Sequence, residues 1–303
     1  MGSVNITLEN GQLGGTVQTN DGIVGMVLHG ISETGGYATG TPILVTSMTD
    51  VANAGITVTH NPFAIKQLQE FYNQAGSGAQ LYLMLVPTTT TVAEMADNTN
   101  ASSAKKLLDF AAGNIKVLGL LSNDTAITAG GGTVTVTDAL NGDVYTAASN
   151  MAVMAEAYFE AEKPFRAIIG GTSYSGVPAD LTNETTGTTN NRTAILIGDT
   201  VSGTSACIGL LLGVVSSIPV QRKISRVRSG ALTNTAAYVG TSTVEVAGAA
   251  NLAVIAESGY ITFITYPNVS GYFFSGDPML TATTDDYCML ARGRVIDKAQ
   301  ILA

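Results

Sequence analysis

The sequence contains few side chains that could act as acids or bases near neutral pH. Its 303 residues include two histidines, His29 and His60. Neither lies beside a paired cysteine or an acidic third ligand, which a zinc site would require. Both precede residue 61, so neither can follow a serine nucleophile in the chain order of the α/β hydrolases. The residues therefore predict neither a metal site nor a catalytic centre.

Glycine-rich segments do not complete a cofactor-binding motif. Neither Gly-Lys-Ser nor Gly-Lys-Thr occurs, so the P-loop pattern is absent from the sequence. Residues 76–78 (GSG) precede a predicted strand, whereas a dinucleotide-binding loop follows one and begins a helix. Residues 171–176 (GTSYSG) lack the Gly-x-Ser-x-Gly spacing of a nucleophile elbow. We therefore predict that the chain holds no cofactor.

A basic link between residues 222 and 228 contains four of the 14 lysine and arginine residues: Arg222, Lys223, Arg226 and Arg228. Their nearly alternate spacing predicts that most of them share one face of an extended strand. The chain has 23 Asp and Glu residues and a net charge of −9, so an acidic patch on a neighbouring subunit would be a suitable partner. A solvated strand face without a partner is the alternative. The same negative charge disfavours binding to nucleic acid.

The amino-terminal residues have the pattern of a short strand. Val4, Ile6 and Leu8 alternate with polar residues, and glycines at positions 11, 14 and 15 then interrupt the pattern. A strand isolated in this way can pair only with a sheet elsewhere. We therefore predict an extended amino-terminal arm, residues 1–22, in which these three side chains support strand exchange between subunits.

Membrane insertion and secretion are not predicted. The most apolar segment, residues 206–218, is shorter than the roughly 18 to 20 residues that a membrane-spanning helix needs, so we predict a buried helix there. The amino terminus lacks a basic region followed by an apolar run. Cys207 and Cys288 belong to no CxxC motif, which predicts reduced, buried thiols and synthesis in a cytoplasm.

Apolar runs and helical patterns alternate from residue 23 to residue 303, which predicts one α/β core. Strands are predicted at residues 23–28, 81–86, 115–121, 165–169 and 193–197, and helices at 61–76, 102–112, 147–162, 206–218, 249–257 and 285–302. The predicted fold is a mixed sheet with helices on both faces. An inserted β-hairpin is expected at about residues 125–146, with Asn141-Gly142 as its turn.

The second half of the chain carries a series of short motifs in a recognisable order. They are residues 192–199 (RTAILIGD), 209–213 (GLLLG), 218–224 (IPVQRKI), 226–230 (RVRSG), 258–262 (SGYIT), 271–277 (GYFFSGD) and 294–299 (RVIDKA). Together they resemble the tail sheath protein of contractile phage tails, in the branch found in phages and prophages of Bacteroidetes-type hosts. The resemblance covers residues 190–303 well and the amino half more loosely.

This resemblance implies a structural subunit of the virion tail, made and assembled in the cytoplasm of a bacterial host. Its partners would be other sheath subunits, stacked in hexameric rings, and the tail tube protein that they surround. Contraction would drive the tube through a cell envelope. Sheath chains of this type continue beyond the RVIDKA helix, so the resemblance also implies that a carboxyl-terminal sheath segment is absent from this sequence.

One alternative from another class of protein stays open at this point. A small-molecule-binding α/β enzyme would use the loops after Leu28 or Ile169, because ligands of such folds bind at the carboxyl ends of the strands. It would be a compact monomer whose melting temperature rises when its ligand binds. The composition favours the sheath subunit, for which no catalysis is predicted.

Overall fold

A computed structural model describes residues 20–186 and 189–302 of the chain. The strands within these ranges are β1 (Val24–Gly30), β2 (Ile43–Val45), β3 (Leu81–Pro87), β4 (Val117–Leu121), β5 (Val136–Thr137), β6 (Leu140–Asn141), β7 (Arg166–Gly170), β8 (Thr189–Asn190), β9 (Thr193–Leu196), β10 (Tyr238–Val239), β11 (Ser242–Thr243), β12 (Phe263–Tyr266), β13 (Val269–Phe274) and β14 (Leu280–Thr281). The helices are α1 (Met48–Asn53), α2 (Pro62–Ala75), α3 (Val92–Ala96), α4 (Ala104–Ala111), α5 (Asp124–Ala129), α6 (Gly142–Glu160), α7 (Ile208–Ser217), α8 (Val244–Ala247), α9 (Ala249–Glu257) and α10 (Leu290–Leu302).

A six-stranded mixed sheet forms the centre of the molecule. Its strand order is β2-β3-β1-β4-β7-β9, and β2 is the antiparallel edge strand while the other five are parallel. Met26 of β1 lies between Leu83 of β3 and Gly119 of β4. These strands are nearly continuous apolar runs because helices cover both faces of the sheet. The predicted mixed sheet is confirmed.

The direction in which strands are added to the sheet reverses after β3, which places helices on opposite faces. The connection from β1 through α2 leads to β3 on one side, whereas β3, β4 and β7 follow one another through α4 and α6 towards the other side. Since such crossovers are right-handed, α2 lies on the face opposite to α4 and α6. Helix α7 lies beside α2 and contacts β1, β4 and β7.

Helices α2 and α7 approach so closely that glycine is required at their contact. A Cβ atom at Gly209 would lie 1.9 Å from the carbonyl oxygen of Gln67, and one at Gly213 would lie 2.8 Å from that of Phe71. The side chain of Gln67 accepts a hydrogen bond from the amide of Gly209 at 2.8 Å and donates one to the carbonyl of Ala206 at 2.9 Å. Gln67 therefore satisfies backbone groups at the amino end of α7, where they lack partners within the helix.

The inserted hairpin is present, but its turn differs from the prediction. Strands β5 and β6 are antiparallel, and Asp138 and Ala139 form the turn with φ angles of 48° and 65°. Both turn residues thus have the positive φ that a tight two-residue hairpin needs. Asn141 instead accepts a hydrogen bond from the amide of Asp143 and begins α6. Helix α5 occupies the start of the segment that was expected to be hairpin.

Helix α10 begins later than the predicted residue 285. Asp285 lies in a turn and accepts a hydrogen bond from the amide of Tyr287 at 2.7 Å. The carboxylate of Asp277 accepts a hydrogen bond from the amide of Ala291, in the first turn of the helix, at 3.1 Å. A carboxylate from a distant loop therefore stabilises the amino end of α10.

Candidate intersubunit surfaces

Residues 1–19 of the predicted arm lie outside the described residues. Val4, Ile6 and Leu8 belong to residues 1–19, and their role in strand exchange stays a prediction. The first described residues, Asn20–Gly22, form a short 3-10 helix. Asp21 in this helix forms an ion pair with Lys298 of α10. The base of the amino-terminal segment is therefore held beside the last described helix.

The basic link is not the extended strand that the spacing predicted. The amide of Arg222 donates to the carbonyl of Pro219, and the amide of Arg226 donates to that of Lys223, so the backbone turns twice. A short 3-10 helix, Val227–Ser229, follows. Because successive turns rotate the side chains, the alternate spacing does not place the cations on one strand face.

The link nevertheless presents cations at the surface. Lys223, Arg226 and Arg228 are exposed and Arg222 is half-buried, while Ile224 is buried and anchors the segment. None of the four basic side chains forms an ion pair with another residue in the described ranges. These cations are therefore available to a partner of opposite charge.

A cavity of about 290 Å³ adjoins the basic link. Lys223 and Ser225 of the link line it, together with Asp277 and Tyr260. Burial raises the pKa of Asp277, against the opposing effects of its hydrogen bond with Ala291 and the nearby charge of Lys223. The basic link thus borders a concave surface that contains a carboxylate.

Helix α10 is attached to the core by a cluster of ion pairs. Arg166 of β7 is fully buried and donates two hydrogen bonds to Asp297, from Nε at 2.8 Å and from Nη2 at 3.0 Å. Arg192 lies 3.5 Å from the same carboxylate, pairs with Glu156, and stacks 3.9 Å above the ring of Phe159. The bidentate pair of Arg166 with Asp297 fixes the orientation of α10 as well as its position.

The sequence contains one signal of this cluster, although the cluster was not predicted. Arg166 is a charged residue within the apolar run FRAII, and a buried arginine in such a strand needs a carboxylate partner. Nothing in the spacing identifies Asp297 as that partner, because it lies in a helix more than a hundred positions later. Gly293 allows the contact, since a Cβ atom there would lie 2.1 Å from the guanidinium carbon of Arg166.

A second polar network lies at the carboxyl ends of β1 and β4, where the enzyme alternative expects a ligand. The ring of His29 donates from Nε2 to the carbonyl of Thr90 and accepts at Nδ1 from the amide of Asn123 at 2.9 Å. Asp124 accepts from Ser122 at 2.8 Å and from Asn141 and Ser173. Burial lowers the pKa of His29, and its two hydrogen bonds and the charge of Asp124 oppose that effect. The network joins the ends of the strands to one another.

Helices α8 and α9 expose several apolar side chains. Val246 is 76% exposed and Val254 is 39% exposed, and three exposed alanines lie between them in the sequence, at positions 249, 250 and 253.

None of the helices in residues 20–186 and 189–302 has the length and apolar character that crossing a membrane requires. Within the same ranges, no group of three or more His, Cys, Asp or Glu side chains is placed to hold a metal ion. Cys207 and Cys288 are free and buried, as the sequence predicted.

Similar folds occur in two assemblies solved by cryo-EM. One is the helical sheath of the anti-feeding prophage (AFP) in its contracted state, with a TM-score of 0.60 and 13% identity over 99% of this chain and 73% of that chain. The other is a chain in the 6-fold symmetrised AFP baseplate, with a TM-score of 0.57 and 13% identity over 99% of this chain and 74% of that chain. At this identity the likeness shows a shared fold, which confirms the fold that the sequence resemblance implies.

Comparison at the level of sequence places the chain in a family. No curated protein matches it. The family model described as DUF2586, N-terminal domain, matches residues 1–277. The match extends from the predicted arm through the six-stranded sheet and the basic link to Asp277, and the chain therefore belongs to the DUF2586 family.

Proposed function

We propose that the chain is a structural subunit of a contractile tail sheath. It polymerises with copies of itself around a tail tube and contracts to drive the tube through a cell envelope. The observation that carries this proposal is the fold likeness to the AFP sheath, which extends over 99% of the chain. Membership of the Bacteroidetes-type branch, hexameric rings and assembly in a host cytoplasm belong to the same proposal.

Surface chemistry supports assembly into a lattice. The basic link presents Lys223, Arg226 and Arg228, which form no ion pair in the described ranges, on a chain whose net charge is −9. A basic segment on an acidic chain favours contacts between copies in a fixed orientation. A neighbour could also cover the exposed apolar side chains of α8 and α9.

In this proposal the amino-terminal arm connects neighbouring subunits of the lattice. Val4, Ile6 and Leu8 add a strand to a neighbouring subunit, so that subunits stay connected while their cores move. The extended lattice is the less stable arrangement, and release of its contacts lets the cores dock in the contracted arrangement. The free energy that moves the tube is thus stored in contacts between subunits.

No specific observation favours the small-molecule-binding alternative. At the carboxyl ends of β1 and β4, the polar side chains of His29, Asn123 and Asp124 take part in hydrogen bonds within the chain. The described cavity of about 290 Å³ lies instead beside the basic link.

Negative-stain electron microscopy of the purified chain at low salt tests the proposal. A sheath subunit is expected to form striated tubes or stacked rings, and dilution into high salt should shorten them, because salt screens surface charge pairs. A chain that stays monodisperse and small at every salt and protein concentration, alone and with a purified tail tube protein, would contradict the proposal.

A further inference from the structure

An ionic cluster lies between α2 and the residues that follow β9. Lys66 and Glu70 are one turn apart on α2, and the Nζ atom of Lys66 lies 3.0 Å from Oε1 of Glu70. Asp199 follows the carboxyl end of β9, and its carboxylate also pairs with Lys66. The side chain of Asp199 is 2% exposed and that of Glu70 is 14% exposed, so both acids are largely removed from water. One ammonium group is therefore shared by two acidic side chains.

Among the described residues, no further charge balances the second acid. The charges that act on Glu70 belong to Lys66 and Asp199. Lys66 in turn faces Asp199, Glu70 and the thiol of Cys207 at the amino end of α7. Burial raises the pKa of this thiol, so Cys207 adds no charge near neutral pH. The cluster would carry one net negative charge if both acids were ionised.

The hydrogen bonds distinguish the two acids. The carboxylate of Asp199 accepts from Lys66 and, at 2.7 Å, from the amide of Thr200. Glu70 contacts Lys66 and the hydroxyl of Thr200 through Oε1, whereas its Oε2 atom is buried and none of the described residues donates to it. A charged carboxylate oxygen is costly to bury without a donor, and the carbonyl oxygen of a neutral carboxyl is less costly. Charge and hydrogen bonding thus both indicate Glu70 as the acid that retains a proton.

The cluster connects α2 to the second half of the chain. The backbone of Asp199 exchanges two hydrogen bonds with that of Tyr238, at 2.9 and 2.8 Å. Tyr238 begins β10, which pairs with β11, and α8 follows directly. The contacts of Asp199 and Thr200 with α2 therefore help to position these later elements.

We propose that Glu70 forms a pH-sensitive contact between α2 and the residues after β9. While the carboxyl is neutral, Oε1 donates its proton to a hydrogen bond with the hydroxyl of Thr200, and Asp199 is the one ionised partner of Lys66. Loss of the proton places a second negative charge beside Asp199 and loosens residues 199–200 from α2. The inference rests on contacts within one chain and does not depend on the proposed sheath function.

The direction of the pH effect follows from the surroundings of Glu70. Burial raises its pKa above the ordinary value of 4.5, and the charge of Asp199 adds to that effect, while Lys66 and Thr200 oppose it. The folded chain therefore binds this proton more tightly than the unfolded chain. The contribution of the proton to the free energy of unfolding is fully present below pH 4.5 and is lost as pH rises towards the raised pKa of the folded state.

Urea unfolding between about pH 5 and about pH 8 tests the proposal, with Glu70→Gln as the variant. Glutamine has the shape of the neutral carboxyl and does not titrate. Relative to this variant, the wild type is expected to become less stable as pH rises, by up to about tenfold in the unfolding equilibrium constant for each pH unit. Glu160→Gln removes an exposed acid from α6 and should differ from Glu70→Gln in the same way as the wild type does. A difference between the wild type and Glu70→Gln that is constant with pH would overturn the proposal.

NMR spectroscopy of the whole chain gives a second test at the site itself. The side-chain carboxyl signal that is missing from Glu70→Gln is expected to titrate above pH 4.5 in the wild type. Over the same pH range, hydrogen exchange at the amides of Asp199 and Tyr238 should accelerate more in the wild type than in Glu70→Gln. A titration midpoint at or below 4.5 would overturn the proposal. Equal acceleration in both chains would show that the contact does not loosen and would overturn it as well.

Discussion

At the scale of single residues, His29 makes the stability of the fold depend on pH. Its ring bridges the carbonyl of Thr90 and the amide of Asn123, and the second contact requires an Nδ1 atom without a proton. Protonation would turn Nδ1 into a donor that faces the N–H of Asn123. Burial, the main cause, lowers the pKa of His29 in the folded chain, so the unfolded chain binds this proton more tightly.

The sign of the pH effect follows from that difference. The contribution of His29 to the free energy of unfolding is fully present above its ordinary pKa of 6.5. It is lost as pH falls below that value, towards the lowered pKa of the folded state. The loss is at most about 1.4 kcal/mol for each pH unit. His29→Gln keeps a donor and an acceptor but does not titrate. We expect this variant to lose less stability than the wild type between about pH 7 and about pH 5.

Urea unfolding at several pH values measures this effect. His60→Gln is the matched control, because His60 is the other histidine and is exposed. Its loss of stability between about pH 7 and about pH 5 should be larger than that of His29→Gln. Acidic groups with raised pKa values, such as Glu70 and Asp277, make the free energy of unfolding change with pH in the opposite direction. Their effect is the same in every variant and therefore cancels when the variants are compared. Parallel curves for His29→Gln and the wild type would show that His29 has no such role.

At the scale of elements, the contact between α2 and α7 depends on Gly209. Alanine favours a helix over glycine by about 1 kcal/mol in isolation. In this contact the added Cβ atom would overlap the carbonyl oxygen of Gln67, which belongs to the backbone of α2 and has little freedom to move. We expect Gly209→Ala to destabilise the fold by roughly 2 kcal/mol or more, as overpacking does.

Chemical denaturation of Gly209→Ala beside Ser217→Ala checks this expectation. Ser217 is an exposed residue on the same helix, so its replacement changes the helix without changing the contact with α2. Its unfolding midpoint should stay close to that of the wild type. A Gly209→Ala chain as stable as the wild type would mean that the two helices do not approach as closely as described.

Some of the elements could be predicted from the sequence, and others could not. Strand β3 and helix α2 were predictable because residues 81–86 are continuously apolar, and because Asn61-Pro62 and Gly76 bound a helical pattern. The start of α10 was not predictable, since the carboxylate that stabilises its amino end comes from Asp277, in a separate loop. The basic link was mistaken for a strand because alternate spacing says nothing about the turns that begin after Pro219.

The candidate intersubunit surfaces were also only partly predictable from the sequence. The exposure of the basic link follows from its four charges, which sequence composition alone reveals. The partnership of Arg166 with Asp297 depends on where α10 docks against β7, which is a property of the tertiary structure. Pairings between distant segments leave no local pattern, so a single sequence does not identify them.

At the scale of the whole molecule, charge should control assembly. The chain is strongly acidic, and the basic link concentrates cations on one part of it. We expect replacement of Lys223, Arg226 and Arg228 by Ser to weaken assembly at low salt, because contacts between copies lose their positive partner. Light scattering or sedimentation measures the assembled fraction.

A control variant with the same change in net charge isolates the position of these cations. Lys105, Lys106 and Lys163 are exposed and lie away from the basic link in the sequence. Their replacement by Ser should leave assembly near the wild-type level. Equal assembly of both triple variants at low salt would show that the basic link does not form the contact.

The most direct test of the sheath proposal is cryo-EM of tails from bacteria that produce this chain, at a resolution that resolves side chains. The proposal predicts that the six-stranded sheet, α10 and the Arg166–Asp297 pair of this chain fit the density of the sheath, in rings around the tube. The same chain should occupy a second arrangement in contracted tails. Sheath density that traces a different chain, with this one found only in the baseplate or missing from the particle, would contradict the proposal.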